Sequence, residues 1–392
     1  MVKVKKAKKS WKERLRSRQI RIQKALEAHR HRLEKTSGKL SKRPLWGRMI
    51  LALCLIAITV SLFVAWYYPS SQLSSEQLLS PSSPQPVFNL NVVYIWPDGR
   101  IEPETAAIIQ SESNYFIFTG NISMPVIVLK DNIVIDGAGY TLKGSMERGS
   151  RGIDLTQRKN VTIRNLRIQG FERGIYLSSS LYITIVQNEL RENYCGIWLE
   201  FSSFNNITSN CIVKNEGYGV WLKNSTDNML SGNTLTNHGN YTIYIGYSSG
   251  NMVVANNFTS NRLNLFLYFS LNNTIRCNSL SSNFQAIHLL YSSNNTIFEN
   301  TIGNNMIGIT FALSSGNLIY CNNFVNNIIQ VESENSTNIW DNGPAIGGNY
   351  WSGYKDRYPN ALELNGSGIW DTPYIINEDN KDRYPRVNPV NI

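Results

Sequence analysis

Five aromatic side chains and a histidine return at a fixed interval in this chain: Tyr176, Trp198, Trp221, Tyr244, Phe266 and His288. Asp154 precedes them and Thr310 follows in the same register. Each sits inside a short pattern that reads Gly-Ile-Asp-Leu at 152–155, Gly-Ile-Tyr-Leu at 174–177, Gly-Ile-Trp-Leu at 196–199 and Gly-Val-Trp-Leu at 219–222. The flanking aliphatic residues would share one face of a strand, which leaves the variable residue pointing the other way. Neighbouring outward positions add Glu200, Lys223 and Tyr268, with Arg151 and Arg173 near one end. Sugar rings lay their CH faces on aromatic side chains while charged and amide groups take the hydroxyls, so the column predicts a glycan platform. The competing reading is a set of rings that only stabilise an exposed sheet, or that the aromatic-rich C-terminal segment covers.

Catalysis would ask for more. Glycoside hydrolysis needs paired carboxylates a few ångströms apart, and acidic residues are sparse through the repeats. A polysaccharide lyase or glycoside hydrolase therefore stands as the alternative to a binding protein. Copper would need His, Met or Cys together. Beyond the first 68 residues the only histidines are His238 and His288, in different positions of the pattern, which read as structural or stacking residues.

What must hold the column is a repeat. Degraded copies of the pattern begin at Thr242, Asn264, Ala286, Gly308 and Ile328, giving a period of about 22 residues between 152 and 342. Eleven residues after each start stand Ile163, Ile185, Ile207, Leu230, Val253, Ile275, Ile297, Ile319 and Ile339. Sixteen after come Ile168, Leu190, Ile212, Leu235, Phe258, Leu280, Ile302 and Phe324. Asparagine fills the fourteenth position from Asn188 to Asn342, and much of the nineteenth, where Phe171 and His238 interrupt it. Such a period is the mark of a solenoid. Short β-branched runs argue strands, and each unit is too short for a helical crossover. The sequence thus predicts an all-β, right-handed parallel β-helix (solenoid) of about ten coils, preceded by one transmembrane helix. Asparagine is expected at its corners, where it tolerates left-handed backbone and can ladder between coils.

Residues 1–48 carry 18 Lys and Arg against 3 Glu. Of the 38 basic and 28 acidic residues in the chain, that leaves 20 against 25 for the rest, so nucleic-acid binding by the solenoid has no charge to support it. Residues 1–48 read as a basic cytoplasmic tail. Residues 49–68 contain no charge and end in Trp66, Tyr67 and Tyr68, the length and belt of a bilayer-spanning helix. The preceding cations place the N-terminus in the cytoplasm and the solenoid outside. Residues 69–86 read as a Ser/Pro-rich stalk, 87–151 as N-terminal cap and first coil, and 343–392 as a C-terminal closing segment. Cys277 and Cys321 share one position two coils apart, roughly 9.5 Å at sheet spacing, too far for a disulfide. Free, largely buried thiols are expected.

The run Asp131-Asn132-Ile133-Val134-Ile135-Asp136-Gly137-Ala138-Gly139-Tyr140-Thr141-Leu142 resembles the opening coil of NosD-like β-helix proteins. The Asn-Asn-Thr-Ile units at 272–275 and 294–297 are similar to their coil motif, and Gly348-Asn349-Tyr350-Trp351-Ser352, Asp371-Thr372-Pro373-Tyr374 and Tyr384-Pro385 to their closing motif. The resemblance implies a right-handed β-helix of the carbohydrate-binding and sugar-hydrolase type, and an association with copper delivery to a periplasmic reductase. It also implies an acidic, calcium-type loop in the closing segment. Here Glu363, Asn365, Ser367 and Asp371 keep that spacing with Gly368 at the sixth position, but the twelfth is Tyr374 where a glutamate is usual. No resident cofactor is expected apart from calcium at this weakened loop. Sequons at Asn121, Asn160, Asn206, Asn224, Asn240, Asn257 and Asn335 fit an exterior location. The expected partners are a polysaccharide or cell-surface glycan and, through 49–68, a lipid bilayer. The alternatives to a glycan-binding protein are a sugar-polymer enzyme and a copper-accessory or structural surface protein.

Overall fold

The computed structural model describes residues 91–392, so the tail, the apolar segment 49–68 and the stalk lie outside the described residues. Among the described residues no helix is long and apolar enough to cross a membrane. The repeats wind into an all-β solenoid with three long faces, made of sheets of 12, 11 and 10 strands. Consecutive repeats pair in parallel and in register on every face, as Ile175↔Ile197, Ile185↔Ile207 and Leu190↔Ile212 show. The expected aliphatic columns stack inside. From Ile163 to Ile319 and from Ile168 to Phe324 every member is fully buried, each contributing about 1.5–3 kcal/mol of transfer free energy.

The corners are built differently from the expectation. Each coil turns at left-handed residues, but these stand one place before the inward-facing polar residue. Gln187, Ser209, Ala255, Cys277 and Glu299 have φ between 53° and 56°. The asparagines that follow them, Asn188, Asn210, Asn256, Asn278 and Asn300, turn their amides inward and are buried. The Asn210 Oδ1 accepts from both the backbone N–H and the Nδ2 of Asn188, while Asn210 Nδ2 donates to Ile185 O, Thr208 O and Asn233 Oδ1. The strain of the left-handed residue is thus held by the hydrogen bonds of its neighbour, and the strained position itself accepts almost any side chain.

Four such ladders run the length of the solenoid. Two are the expected asparagine columns. His238 stands in one of them, its Nε2 on Ile212 O at 3.1 Å and its N–H donating to Asn261 Oδ1. A third is serine, where Ser180 N–H donates to Ser202 Oγ and the pattern continues to Ser336. The fourth is asparagine again, from Asn205 through Asn228, Asn251 and Asn273 to Asn338.

The last coil departs from the sequence register. Gly308 is in line with Gln330, not Ile328, because Ile309 pairs with Val331 and Thr310 with Glu332. Ile339 is half exposed and Trp340 fills the core place beside it. The ladder expected to end on Asn342 ends on Asn349, whose Oδ1 accepts from Asn322. The closing segment produces this shift by folding under the final coil. Phe324, Trp351 and Tyr374 stack at 4.3 and 4.1 Å, continuing the core as a lid. The hairpin Tyr374–Asn377 and Asn380–Asp382 inserts two buried polar side chains as ladder terminators. Asn380 Oδ1 accepts from the Asn338 N–H, and Asp382 Oδ2 from the Asn349 N–H. At the other end, antiparallel pairings of Val93–Ile95 with Ile101–Glu102, and of Ile108–Glu112 with Tyr115–Phe118, begin the stack.

Candidate binding face

The variable column lies where it was expected, on the outer side of the 12-stranded sheet. Tyr176, Trp198, Trp221, Tyr244, Phe266, His288 and Thr310 are successive partners across that sheet. Their rings, however, lie against one another. Trp198 and Trp221 stack at 4.8 Å and 16°, Trp221 and Tyr244 at 3.9 Å and 15°. Phe266 tilts against Tyr244 at 5.7 Å and against His288 at 4.9 Å. Strands set about 4.8 Å apart leave a flat ring on each rung little room except in contact with the next. The faces of these rings are therefore occupied by neighbours, and the stripe presents edges outward.

A second row closes in from the preceding strand position. The Arg151 guanidinium lies 3.9 Å from the Tyr176 centroid and pairs with Asp154 at 2.5 Å. Arg173 lies over both Tyr176 and Trp198 and pairs with Glu172 at 3.4 Å. Tyr218 meets Trp221 edge-on at 4.6 Å, and Tyr241 stacks on Phe266 at 4.4 Å. Tyr176 and Phe266 are consequently buried, at 6% and 9% exposure, which departs from the open stripe expected of the sequence. The C-terminal segment is not what covers them, because its aromatic residues pack beneath the last coil.

Burial governs the electrostatics of this face. It pushes the His288 imidazole down to about 4, so the ring is neutral near pH 7. It raises the Tyr244 hydroxyl, with the neighbouring tyrosines Tyr247, Tyr268, Tyr218 and Tyr241 adding to the effect. The Nε1 atoms of Trp198 and Trp221 and the Nδ1 of His288 are buried without a hydrogen-bond partner among the described residues. Glu200 and Lys223 flank the tryptophans as a loose pair at 3.9 Å.

A second aromatic column, not anticipated from the sequence, runs along the adjacent corner. Tyr247, Phe269 and Tyr291 stack at 5.4 and 4.6 Å with planes within 12° of parallel, and all three are well exposed. All three occupy left-handed backbone, with φ of 47° to 52°. Bulky residues are rare there, which is why the pattern passed unnoticed. The signal available was their common place three residues beyond the ring column.

The calcium-type loop is a tight hairpin. Glu363 bridges Trp370 in antiparallel register, Asn365, Gly366 and Gly368 have positive φ, and Ser367 N–H donates to Leu364 O. Glu363 Oε1 accepts from the Gly368 N–H and Asp371 Oδ1 from the Leu362 N–H, so both carboxylates are turned onto their own backbone. Among the described residues no three His, Cys, Asp or Glu side chains gather as a metal site. His238 is buried in its ladder and also pushed down to about 4 by burial. The described cysteines are free. Cys195 and Cys321 are buried, Cys277 is half-buried and Cys211 is exposed, which departs from the expectation of largely buried thiols.

Comparison with known proteins adds a family. The family model described as "Periplasmic copper-binding protein (NosD)" matches residues 105–268 and 261–356. No curated protein matches the sequence. Among solved structures, DFA-IIIase from Arthrobacter chlorophenolicus A6 is similar at 16% identity and a TM-score of 0.45, over 57% of this chain and 64% of that one. The A-module of the mannuronan C-5 epimerase AlgE4 from Azotobacter vinelandii is similar at 10% identity and a TM-score of 0.42, over 66% of this chain and 82% of that one. A periplasmic alginate epimerase, AlgG, is similar at 13% identity and a TM-score of 0.43, over 59% of this chain and 80% of that one.

Proposed function

The chain belongs to the NosD family, and on that premise we propose that its solenoid is an extracytoplasmic module that binds polysaccharide along the 12-stranded sheet without cleaving it. One observation carries the reading. The indole N–H groups of Trp198 and Trp221, on adjacent coils of one face, are buried and lack an acceptor among the described residues. A buried donor left unmet costs about 1–3 kcal/mol, and native proteins leave few of them. Sugar hydroxyls are acceptors of the right kind once the side chains that cover these nitrogens move aside, and Glu200 and Lys223 beside them can take further hydroxyls.

The carboxylates of this face support binding over turnover. Asp154 is held by Arg151, and Glu172 by Arg173 and the Gly149 N–H. The described residues also do not fit a copper centre. His238 is buried and His288 half-buried, in separate columns, and the thiols belong to different coils. Residues 49–68 serve in this proposal as the anchor, with the 18 basic residues before them on the cytoplasmic side.

A polysaccharide array with the full-length chain and its Trp198→Phe/Trp221→Phe variant tests the binding claim. The variant keeps ring bulk and removes both N–H groups, and is expected to bind at least tenfold more weakly, since each bond contributes about 1 kcal/mol. Absence of any bound polysaccharide, or equal binding by the variant, would overturn the reading. For the anchor, protease added to intact cells is expected to cut the stalk and spare the tail; cleavage of the tail alone would reverse the topology.

A further inference from the structure

The exposed corner column contains one interruption, and its geometry is that of a slot. In coil order the column reads Phe201, Asn224, Tyr247, Phe269, Tyr291 and Leu313. Phe201 and Tyr247 leave the chain from left-handed residues with φ of 50° and 52°, so their side chains depart in the same sense from the same corner. Between them lies one coil carrying Asn224, tied to both neighbours by the bonds Phe201 N–H to Lys223 O and Asn224 N–H to Gly246 O, each 3.1 Å. Two rungs separate the aromatic residues by about 9.6 Å.

From Tyr247 to Tyr291 each ring's face is taken by the next ring. At the gap it is not. Tyr247 stacks on Phe269 and meets Tyr268 edge-on at 5.5 Å, and among the described residues neither Tyr247 nor Phe201, 58% exposed, stacks on a ring across the gap. A group held between two rings at van der Waals contact of about 3.5–4.0 Å on each side needs roughly 7–8 Å between them. The slot therefore exceeds the need of a flat aromatic ring and suits a thicker, puckered one.

Its floor and sides are polar and uncharged in sum. The Asn224 amide makes no side-chain hydrogen bond among the described residues and is half-exposed. On the sheet side stand Lys223 and Glu200, whose charges balance. On the other side are the hydroxyls of Ser203 and Thr226, 3.0 Å apart. Two apolar walls with an amide floor and hydroxyl rims match a ring that has CH faces and a hydroxyl girdle. We propose that the gap at Asn224 is a subsite for one neutral hexopyranose unit of a polysaccharide. This rests on the glycan-binding reading above and places the one ring-stacking contact that the edge-presenting sheet column cannot make.

Calorimetric titration of the full-length chain, in a detergent without a sugar headgroup, tests it with a β-1,4-linked glucose hexamer and a β-1,4-linked mannuronate hexamer. Tyr247→Ala is expected to weaken binding of the neutral hexamer at least tenfold. Asn224→Tyr, which completes the ring column and fills the slot, is expected to weaken it as much while leaving Tm unchanged or higher. Phe298→Ala, on another face, should bind as wild type does. If wild type binds and Trp198→Phe/Trp221→Phe weakens it, but Tyr247→Ala and Asn224→Tyr do not, the subsite is wrong and the binding face stands. Preference for the mannuronate hexamer overturns the neutral-sugar assignment. Binding of neither hexamer by wild type overturns the subsite and tells against the face with it.

Discussion

Two kinds of column run through this solenoid with the same period, and they treat unmet hydrogen bonds in opposite ways. In the asparagine ladders each side chain satisfies the coils before and after it, so one residue type repeats, and among the described residues only His238 Nδ1 and the terminal Asn338 Nδ2 are left over. In the aromatic column the residue changes from rung to rung, and Trp198, Trp221 and His288 each keep a buried nitrogen unpaired. The backbone is equally regular beneath both. Regularity alone therefore does not separate the two; on the proposed reading, the column that breaks its own pattern is the binding face.

The comparison can be broken most forcefully from the ladder side. Asn256→Ala would strip the Asn233 N–H of its acceptor, leave Leu230 O without the Asn256 amide donor and cost Asn278 Oδ1 one of its two donors. Leaving several buried groups unmet is expected to cost about 3 kcal/mol or more, read by denaturant titration. A loss under 1 kcal/mol would mean the ladders are ornamental. The second test is the ladder terminator. Burial pushes Asp382 up to about 7 against the bonds it accepts from Asn349, Trp351 and Tyr384. The folded state then holds a proton that the unfolded chain releases near 3.8. Its contribution to stability is complete below that pH and is lost as pH rises through about 7. Tm is expected to fall across that window, and Asp382→Asn to flatten the fall.

Smaller effects sharpen the contrast. His238 is pushed down to about 4 by burial, so its contribution is present above 6.5 and lost as pH drops toward 4. His238→Asn restores the ladder and is expected to abolish that acid sensitivity while changing stability at pH 7 by no more than about 1 kcal/mol. Trp221→Phe keeps the stack and should change stability least, by under about 1 kcal/mol, while weakening glycan binding. A larger loss of stability than of binding would assign the ring column to the fold.

Much of the fold was legible because burial narrows the choice of residue. Inward positions at Ile185, Ile207 and Leu190, Ile212 admit little but aliphatic side chains, so the period and the strands stand out. The outward sense of Tyr176 to His288 followed from the same alternation. Their face-to-face stacking did not, since ring orientation depends on neighbours 22 or 23 residues away and on Arg151, Arg173 and Tyr241 in the next position. The serine ladder and the ladder from Asn205 recur with the period, yet serine and asparagine are too common in this chain to be conspicuous. The left-handed residues were hidden for the opposite reason: once Asn188 and its kin hold the turn, Gln187, Ser209 and Tyr247 are all tolerated beside them. The final register was lost at Gln330 because Trp340, Asn349, Asn380 and Asp382 are brought in from the closing segment, out of period.

The ladders also have a direction. Every ladder asparagine Oδ1 receives from the coil that precedes it in the chain, so the corner N–H groups that face a ladder are met only by the coil made after them. On a ribosome the newest coil is always incomplete, and the chain carries a moving, donor-bearing edge until Asn380 and Asp382 are synthesised. A chain ended before residue 380 would keep that edge for good, with the whole solenoid above it already wound. Exposed strand edges template pairing with other chains, so such truncations are expected to join end to end into filaments, and the last dozen residues act as the stop signal for assembly as much as the lid of a fold.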